Sequence, residues 1–189
     1  MSTPTMHATR LAGATGAALL LATVIAWPAA AQSAMAVLHD KTGKEMGTVD
    51  LMQVPDGVLL KVSLKGVPAG EHAFHIHAAA KCDPPTFDSA GPHFNPTNEK
   101  HGLMAGPGHA GDMPNLYVPR DGELEVEILN PAVTLAKGKP NSLFQPAGTS
   151  IVLHEGVDDY KTDPAGNSGA RLACGAINEI PATVGGPTR

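Results

Sequence analysis

Apolar and polar residues alternate in short runs along most of this chain, and Gly, Pro and Asp punctuate the runs. Val58, Leu60, Val62 and Leu64 show the pattern at its clearest. A period of two places alternate side chains on opposite faces of a strand, so this run predicts a strand with one buried face. Pro55-Asp56-Gly57 turns the chain before it, and the stretch from Gly66 to Gly70 ends it. The same reading predicts strands over 34–38, 46–54, 71–78, 116–118, 123–129, 149–154 and 170–177, with turns at Lys41–Lys44 and Pro119–Gly122. No segment carries the periodicity of a good helix. About eight short strands predict an all-β, antiparallel barrel or sandwich.

The alternation stops between Ala79 and Asn115. Of these 37 residues, eleven are Gly or Pro and only five are Phe, Leu or Met. Such a stretch buries too little apolar area to order itself, so it is either a flexible lid or a loop held by something other than a core. The Cys82 and three His inside it favour the second.

Residues 1–31 read differently. One strong charge, Arg10, precedes an apolar run from Leu11 to Trp27, and Ala29, Ala30 and Ala31 follow Pro28. That order is a cleaved secretory signal peptide, too short and too rich in small residues for a stable membrane anchor. Residues 32–189 then form one exported domain, periplasmic in a bacterium. Without Arg10, 12 basic residues face 18 acidic ones, a net charge of −6. With no basic run, nucleic acid is excluded as a partner, because phosphate binding needs clustered Lys and Arg. Export also bears on the two cysteines: in an oxidising compartment they are most simply one disulfide, Cys82 to Cys174.

Seven of the nine histidines lie between His72 and His154. In the strand 71–78, His75 and His77 share one face while Phe74 and Ile76 share the other. The apolar pair marks the inward face, so the two imidazoles stand outside the barrel beneath whatever covers it. His72 has the inward parity and reads as a histidine bonded to loop backbone. The covering loop supplies His93, His101, His109 and Asp112, and a strand end supplies His154. Three imidazoles and a carboxylate suit tetrahedral zinc, and four imidazoles suit copper in both redox states. Seven candidate ligands serve eight positions if one deprotonated imidazole uses both nitrogens.

These residues sit in six ordered motifs: His72-Ala-Phe-His-Ile-His77, Ser89-Ala-Gly-Pro-His-Phe-Asn-Pro96, Lys100-His-Gly102, His109-Ala-Gly-Asp112, Val152-Leu-His-Glu155 and Gly169-Ala-Arg-Leu-Ala-Cys-Gly175. Together they closely resemble the copper/zinc superoxide dismutases in an exported, bacterial form, over roughly residues 34–178. The resemblance implies an eight-stranded, immunoglobulin-like Greek-key barrel with a long metal-binding loop. It implies copper and zinc as cofactors, with His75, His77, His93 and His154 on copper and His93, His101, His109 and Asp112 on zinc. It further implies that Asp158 hydrogen-bonds one imidazole of each site, and that Arg171 guides the anion. The implied reaction is dismutation of superoxide to dioxygen and hydrogen peroxide, by a copper ion alternately reduced and oxidised, with His93 as bridge and proton carrier. It also allows a homodimer.

The chain departs from the family's usual pattern at Ala73, Ala78 and Ala80, and 159–170 is short, without an acid-rich loop. Lys81, Lys100 and Lys161 are therefore candidates for steering the substrate. A non-catalytic periplasmic copper and zinc buffer is the alternative, although it would need neither Arg171 nor a bridging His93. A nucleophilic hydrolase is disfavoured, since Gly-X-Ser-X-Gly is absent.

Overall fold

A computed structural model describes Met1, residues 32–104 and residues 106–181. The predicted signal peptide, apart from Met1, lies outside the described residues. Ten strands run in chain order: β1 (Ser33–Asp40), β2 (Glu45–Val54), β3 (Gly57–Lys65), β4 (Gly70–His72), β5 (Phe74–His77), β6 (Leu116–Val118), β7 (Glu123–Asn130), β8 (Ser150–His154), β9 (Arg171–Ala176) and β10 (Asn178–Ile180). Among the described residues the only helical element is the single turn Asp88–Ala90.

The alternation read from the sequence becomes rows across the sheet. Ala36 of β1 lies opposite Val49 of β2, Val49 opposite Val62 of β3, and Val62 opposite Val126 of β7. The adjacent inward row is Ala34, Leu51, Leu60 and Ile128. These side chains belong to one hydrophobic cluster, which also takes in Phe74, Ile76, Ile151 and Leu153. Between the rows the outward residues are Met35, Asp50, Lys61 and Glu127, and Lys61 pairs with Glu127 at 3.1 Å. One register fixes both faces, because a slip by one residue would exchange the Val and Leu rows for Lys and Glu.

Strands β1, β2 and β3 form a meander, but the next neighbour of β3 is β7, and β9 returns beside β1. The chain from β3 crosses over to β4 and β5, where β4 pairs with β6 and β5 pairs with β8. These are Greek-key connections, and the sheet is the expected all-β barrel. The strand predicted over 71–78 is divided at Ala73. Its backbone N–H donates to the carbonyl of Gly156 and its carbonyl accepts from His154 N–H, so neither ladder runs through it. Counted as one, β4 and β5 bring the barrel to eight strands, with β10 as a short addition on β1.

Barrel and loop are tied together covalently. Cys82, near the start of the 79–115 loop, is disulfide-bonded to Cys174 on β9 across 92 positions of chain. Closing a loop of that length contributes about 4–5 kcal/mol on the chain-entropy account.

Two neighbouring substitutions test the facing of β3. Leu60 is fully buried and Lys61 is half exposed. Leu60→Ala is expected to cost the metal-free protein about 2–5 kcal/mol in denaturant unfolding. Lys61→Ala should stay within about 0.5 kcal/mol. Equal costs would contradict the register.

Candidate metal centre

Strand β5 places Phe74 and Ile76 in the core and His75 and His77 on the opposite face, as parity predicts. All four are buried, because the 79–115 loop covers the outer face. The loop is laid on by backbone hydrogen bonds. Ile76 N–H donates to Gly111 O at 2.9 Å, Phe94 N–H donates to Ile76 O at 2.8 Å, and Gly111 N–H donates to Phe94 O at 2.8 Å. Only glycine fits at 111, since a Cβ there would run into the carbonyl of Ile76. These bonds set His93 beside His77 and Asp112 beside His75.

Two quartets of ligand atoms result, each with its atoms within 4.8 Å of one another. One is His75, His77, His93 and His154; the other is His93, His101, His109 and Asp112. In the second, the Nδ1 atoms of His93, His101 and His109 lie 2.9, 3.1 and 3.3 Å from Asp112 Oδ1. His109 Nδ1 and His93 Nδ1 are 3.4 Å apart. A tetrahedron of donors about 2.0–2.1 Å from zinc has edges of about 3.3–3.4 Å, so the set is close to a zinc cage. In the first quartet, His75 Nδ1 and the Nε2 atoms of His77, His93 and His154 are buried and without a hydrogen-bond partner among the described residues. A buried polar atom left unpaired costs about 1–3 kcal/mol, and four facing one another is the arrangement a cation satisfies. Both donor sets therefore suit the ions that the sequence implies. His93 belongs to both, one nitrogen in each.

The nitrogens turned away from the quartets are held. His75 Nε2 and His101 Nε2 meet the two oxygens of Asp158 at 2.8 and 2.9 Å, so one carboxylate backs a ring from each quartet. His77 Nδ1–H donates to Gly91 O at 2.8 Å. Such backing fixes which nitrogen is left to bind an ion. The other oxygen of Asp112, Oδ2, accepts from the backbone N–H of Gly102 and of His109, both at 2.9 Å.

Burial also sets the protonation. It penalises the cationic form of His77, assisted by the neighbouring His93, and holds that ring well below its ordinary value. His93 is lowered to about 4, the burial outweighing its hydrogen bond to Asp112. His154 is lowered to about 3 by burial and by His75. Burial alone would raise the two acids, but hydrogen bonds from His93, Gly102 and His109 hold Asp112 well below the carboxylate range. Those from His75, His101 and Tyr160 likewise hold Asp158 at about 2. At neutral pH these imidazoles are neutral and the acids ionised, the forms that ligate a metal.

A cleft of about 500 Å³ opens over His77, His93 and His154. Arg171 stands in its wall, half-buried, with its guanidinium donating to Gly91 O at 2.7 Å and to Phe87 O. Among the described residues it is the one Lys or Arg lining the cleft; Lys81, Lys100 and Lys161 are exposed and lie outside that lining. His72 takes no part: its ring nitrogens meet Pro68 O and His154 O, each at 2.8 Å.

Several supporting residues escape the sequence reading. The Asn115 side chain accepts from Asp158 N–H and donates to Asp158 O, both at 2.9 Å, and Asn115 N–H donates to the Tyr160 hydroxyl at 2.7 Å. Gly166, at φ +62, lies so close to the Asp158 carboxylate that any Cβ would strike it. Ser168 Oγ lies 3.1 Å from His154 Nδ1. Each acts through a loop contact that no periodicity marks.

Residues 45–177 match the family described as copper/zinc superoxide dismutase. The chain is 53% identical over 146 residues to a superoxide dismutase [Cu-Zn] of Aquifex aeolicus, covering 76% of this chain and 85% of that protein. It is 44% identical over 149 residues to the superoxide dismutase [Cu-Zn] of Caulobacter vibrioides, covering 77% and 85%. Among solved structures, the Cu/Zn superoxide dismutase from Brucella abortus superposes with a TM-score of 0.65 at 32% identity, covering 77% of this chain and 99% of that one.

The dual role of Asp158 has a direct test. Asp158→Asn keeps an acceptor for one ring but turns an amide N–H₂ toward the other, donor against donor. Metal affinity is expected to fall about 10–100-fold in chelator competition. A binding curve that coincides with the parent's would contradict it.

Proposed function

The chain belongs to the copper/zinc superoxide dismutase family, and from that premise we propose how its residues divide the work of an exported enzyme. It is a superoxide dismutase with copper and zinc as cofactors. Bound copper supplies a one-electron couple that oxidises one superoxide to dioxygen and reduces the next to hydrogen peroxide, while zinc, without an accessible second oxidation state, supplies charge and order.

His75, His77, His93 and His154 would hold the copper, and His93, His101, His109 and Asp112 the zinc. The observation that carries this reading is His93, whose Nδ1 joins one quartet and whose unpartnered Nε2 joins the other. Reduction of superoxide to hydrogen peroxide consumes two protons. His93 Nε2 is the atom at which one of them is held and handed on, and burial of the ring keeps it from staying protonated at rest. Asp158 holds His75 and His101 in the tautomers their sites require. Arg171 orients the anion. Its guanidinium is fixed by two carbonyls, so it faces the cleft with little conformational entropy left to lose. A net charge of −6 repels superoxide at a distance, which makes this single local cation the attractive element at the mouth. A metal buffer would need neither an anchored arginine in the cleft nor a shared ring.

Residues 1–31 are read as a cleaved signal peptide that delivers residues 32–189 to the periplasm. The disulfide between Cys82 and Cys174 supports an oxidising compartment. Among the described residues no helix is long and apolar enough to cross a membrane.

Residues 32–189 loaded with both metals are expected to remove superoxide, and to stop doing so when copper alone is chelated. Activity that survives the loss of copper contradicts the proposal. Arg171→Ala should keep both metals and lower kcat/KM by roughly tenfold or more, the loss of one charge-assisted hydrogen bond. An unchanged rate would assign the orientation of the anion to other groups.

A further inference from the structure

The three imidazoles that enter the first quartet through one nitrogen are backed unequally. His75 has a carboxylate behind it and His77 a carbonyl, each at 2.8 Å. Behind His154 the only carbonyl among the described residues, Gly169 O, is 3.4 Å from Nδ1, beyond the usual range for an N–H···O bond. The Ser168 hydroxyl is nearer, at 3.1 Å. With Nε2 of His154 turned into the quartet, Nδ1 carries the proton and Ser168 Oγ accepts it.

A hydroxyl that accepts in this way still has its own proton to donate. Among the described residues, His154 is the only hydrogen-bond partner of Ser168 Oγ. The residue is 2% exposed, yet it belongs to the wall of the cleft that also holds Arg171, His77 and His93. Its backbone is fixed at both polar atoms, N–H to Ala165 O at 3.2 Å and O from Gly156 N–H at 2.9 Å. Among the described residues, no other one lining that cleft carries a hydroxyl.

We propose that Ser168 is a positioning residue that holds the His154 ring by accepting its Nδ1–H, and that its own O–H is the second donor, with Arg171, for a small anion in the cleft. The inference rests on the proposed function, since it takes His154 as a copper ligand and the cleft as the anion's path. An anion seated there is bound through two groups on opposite sides of residue 169, one charged and one neutral. The neutral donor is linked through one hydrogen bond to a copper-ligating ring, so filling the cleft and orienting His154 are coupled.

The test uses the metal-loaded protein, Ser168→Ala and Ser168→Thr, with azide as the probe anion. Metal content, the copper(II) paramagnetic resonance spectrum, the azide dissociation constant and the melting temperature of the metal-free form are read for each. Ser168→Ala is expected to keep both metals and the parental melting temperature, to shift the copper spectrum, and to weaken azide about five- to tenfold, the change expected for one lost hydrogen bond. Ser168→Thr, which keeps a hydroxyl, should restore both signals. A parental spectrum and azide affinity in Ser168→Ala overturn the inference. So does a lowered melting temperature with zinc lost alongside copper, which is a packing role only. A parent that takes up no copper refutes the functional reading and this inference with it, whereas an active parent with an indifferent Ser168 refutes the inference alone.

Discussion

Burying six imidazoles against one another is the constraint on which this structure turns. His75 and His93 have ring centroids 4.0 Å apart, and His93 lies within 5.1 Å of both His77 and His101. Burial disfavours the cationic forms of His77, His93 and His154, and four ring nitrogens of the first quartet meet no partner among the described residues. A cluster of this kind is costly for a chain alone and favourable once cations fill it. The same constraint explains the loop. Residues 79–115 bury only a few apolar side chains, Phe87, Phe94 and Met113 the largest, so their order also draws on backbone bonds to Ile76, on a disulfide to β9, and on donor sets suited to metal ions. The hydrophobic rows of β1, β2, β3 and β7 supply the rigid wall against which that assembly is built.

Much of this is legible in the sequence, and the reason is geometric. Strand parity alone puts His75 and His77 on one face and Phe74 and Ile76 on the other, which the core confirms. The row of Val58 to Leu64 reads as a half-buried strand because period two is an intrinsic property of the extended chain. What parity does not reveal is the break at Ala73, where the chain leaves one partner strand and takes another. Nor does it reveal Asn115, Tyr160, Gly166 or Ser168. Asn115 matters because both polar atoms of its amide meet the backbone of Asp158, 43 residues away, and nothing in the local sequence around 115 marks that meeting. Residues that bind a metal declare themselves by type and number; residues that hold the ligands are ordinary Asn, Gly and Ser, placed by loops.

The electrostatics of the cleft follow the same division. A globally acidic chain is a poor attractor of anions, yet the three lysines proposed from the sequence do not line the cleft, and Arg171 does. Its position derives from the covering loop, through the carbonyls of Phe87 and Gly91, and Gly91 O also anchors His77. One carbonyl thus registers Arg171 to an imidazole of the first quartet. The disulfide a few residues away fixes the loop and β9 relative to each other, so the distance between Arg171 and the quartet is set by covalent structure as well as by hydrogen bonds.

All of this depends on His93 serving both quartets. Anomalous diffraction from crystals of the chain loaded with copper and zinc, collected at each metal's absorption edge, tests that claim most directly. The account predicts copper bonded to Nε2 and zinc to Nδ1 of the same His93 ring. Ions that share no residue, or a single ion with the second quartet unfilled at full metal loading, would contradict it.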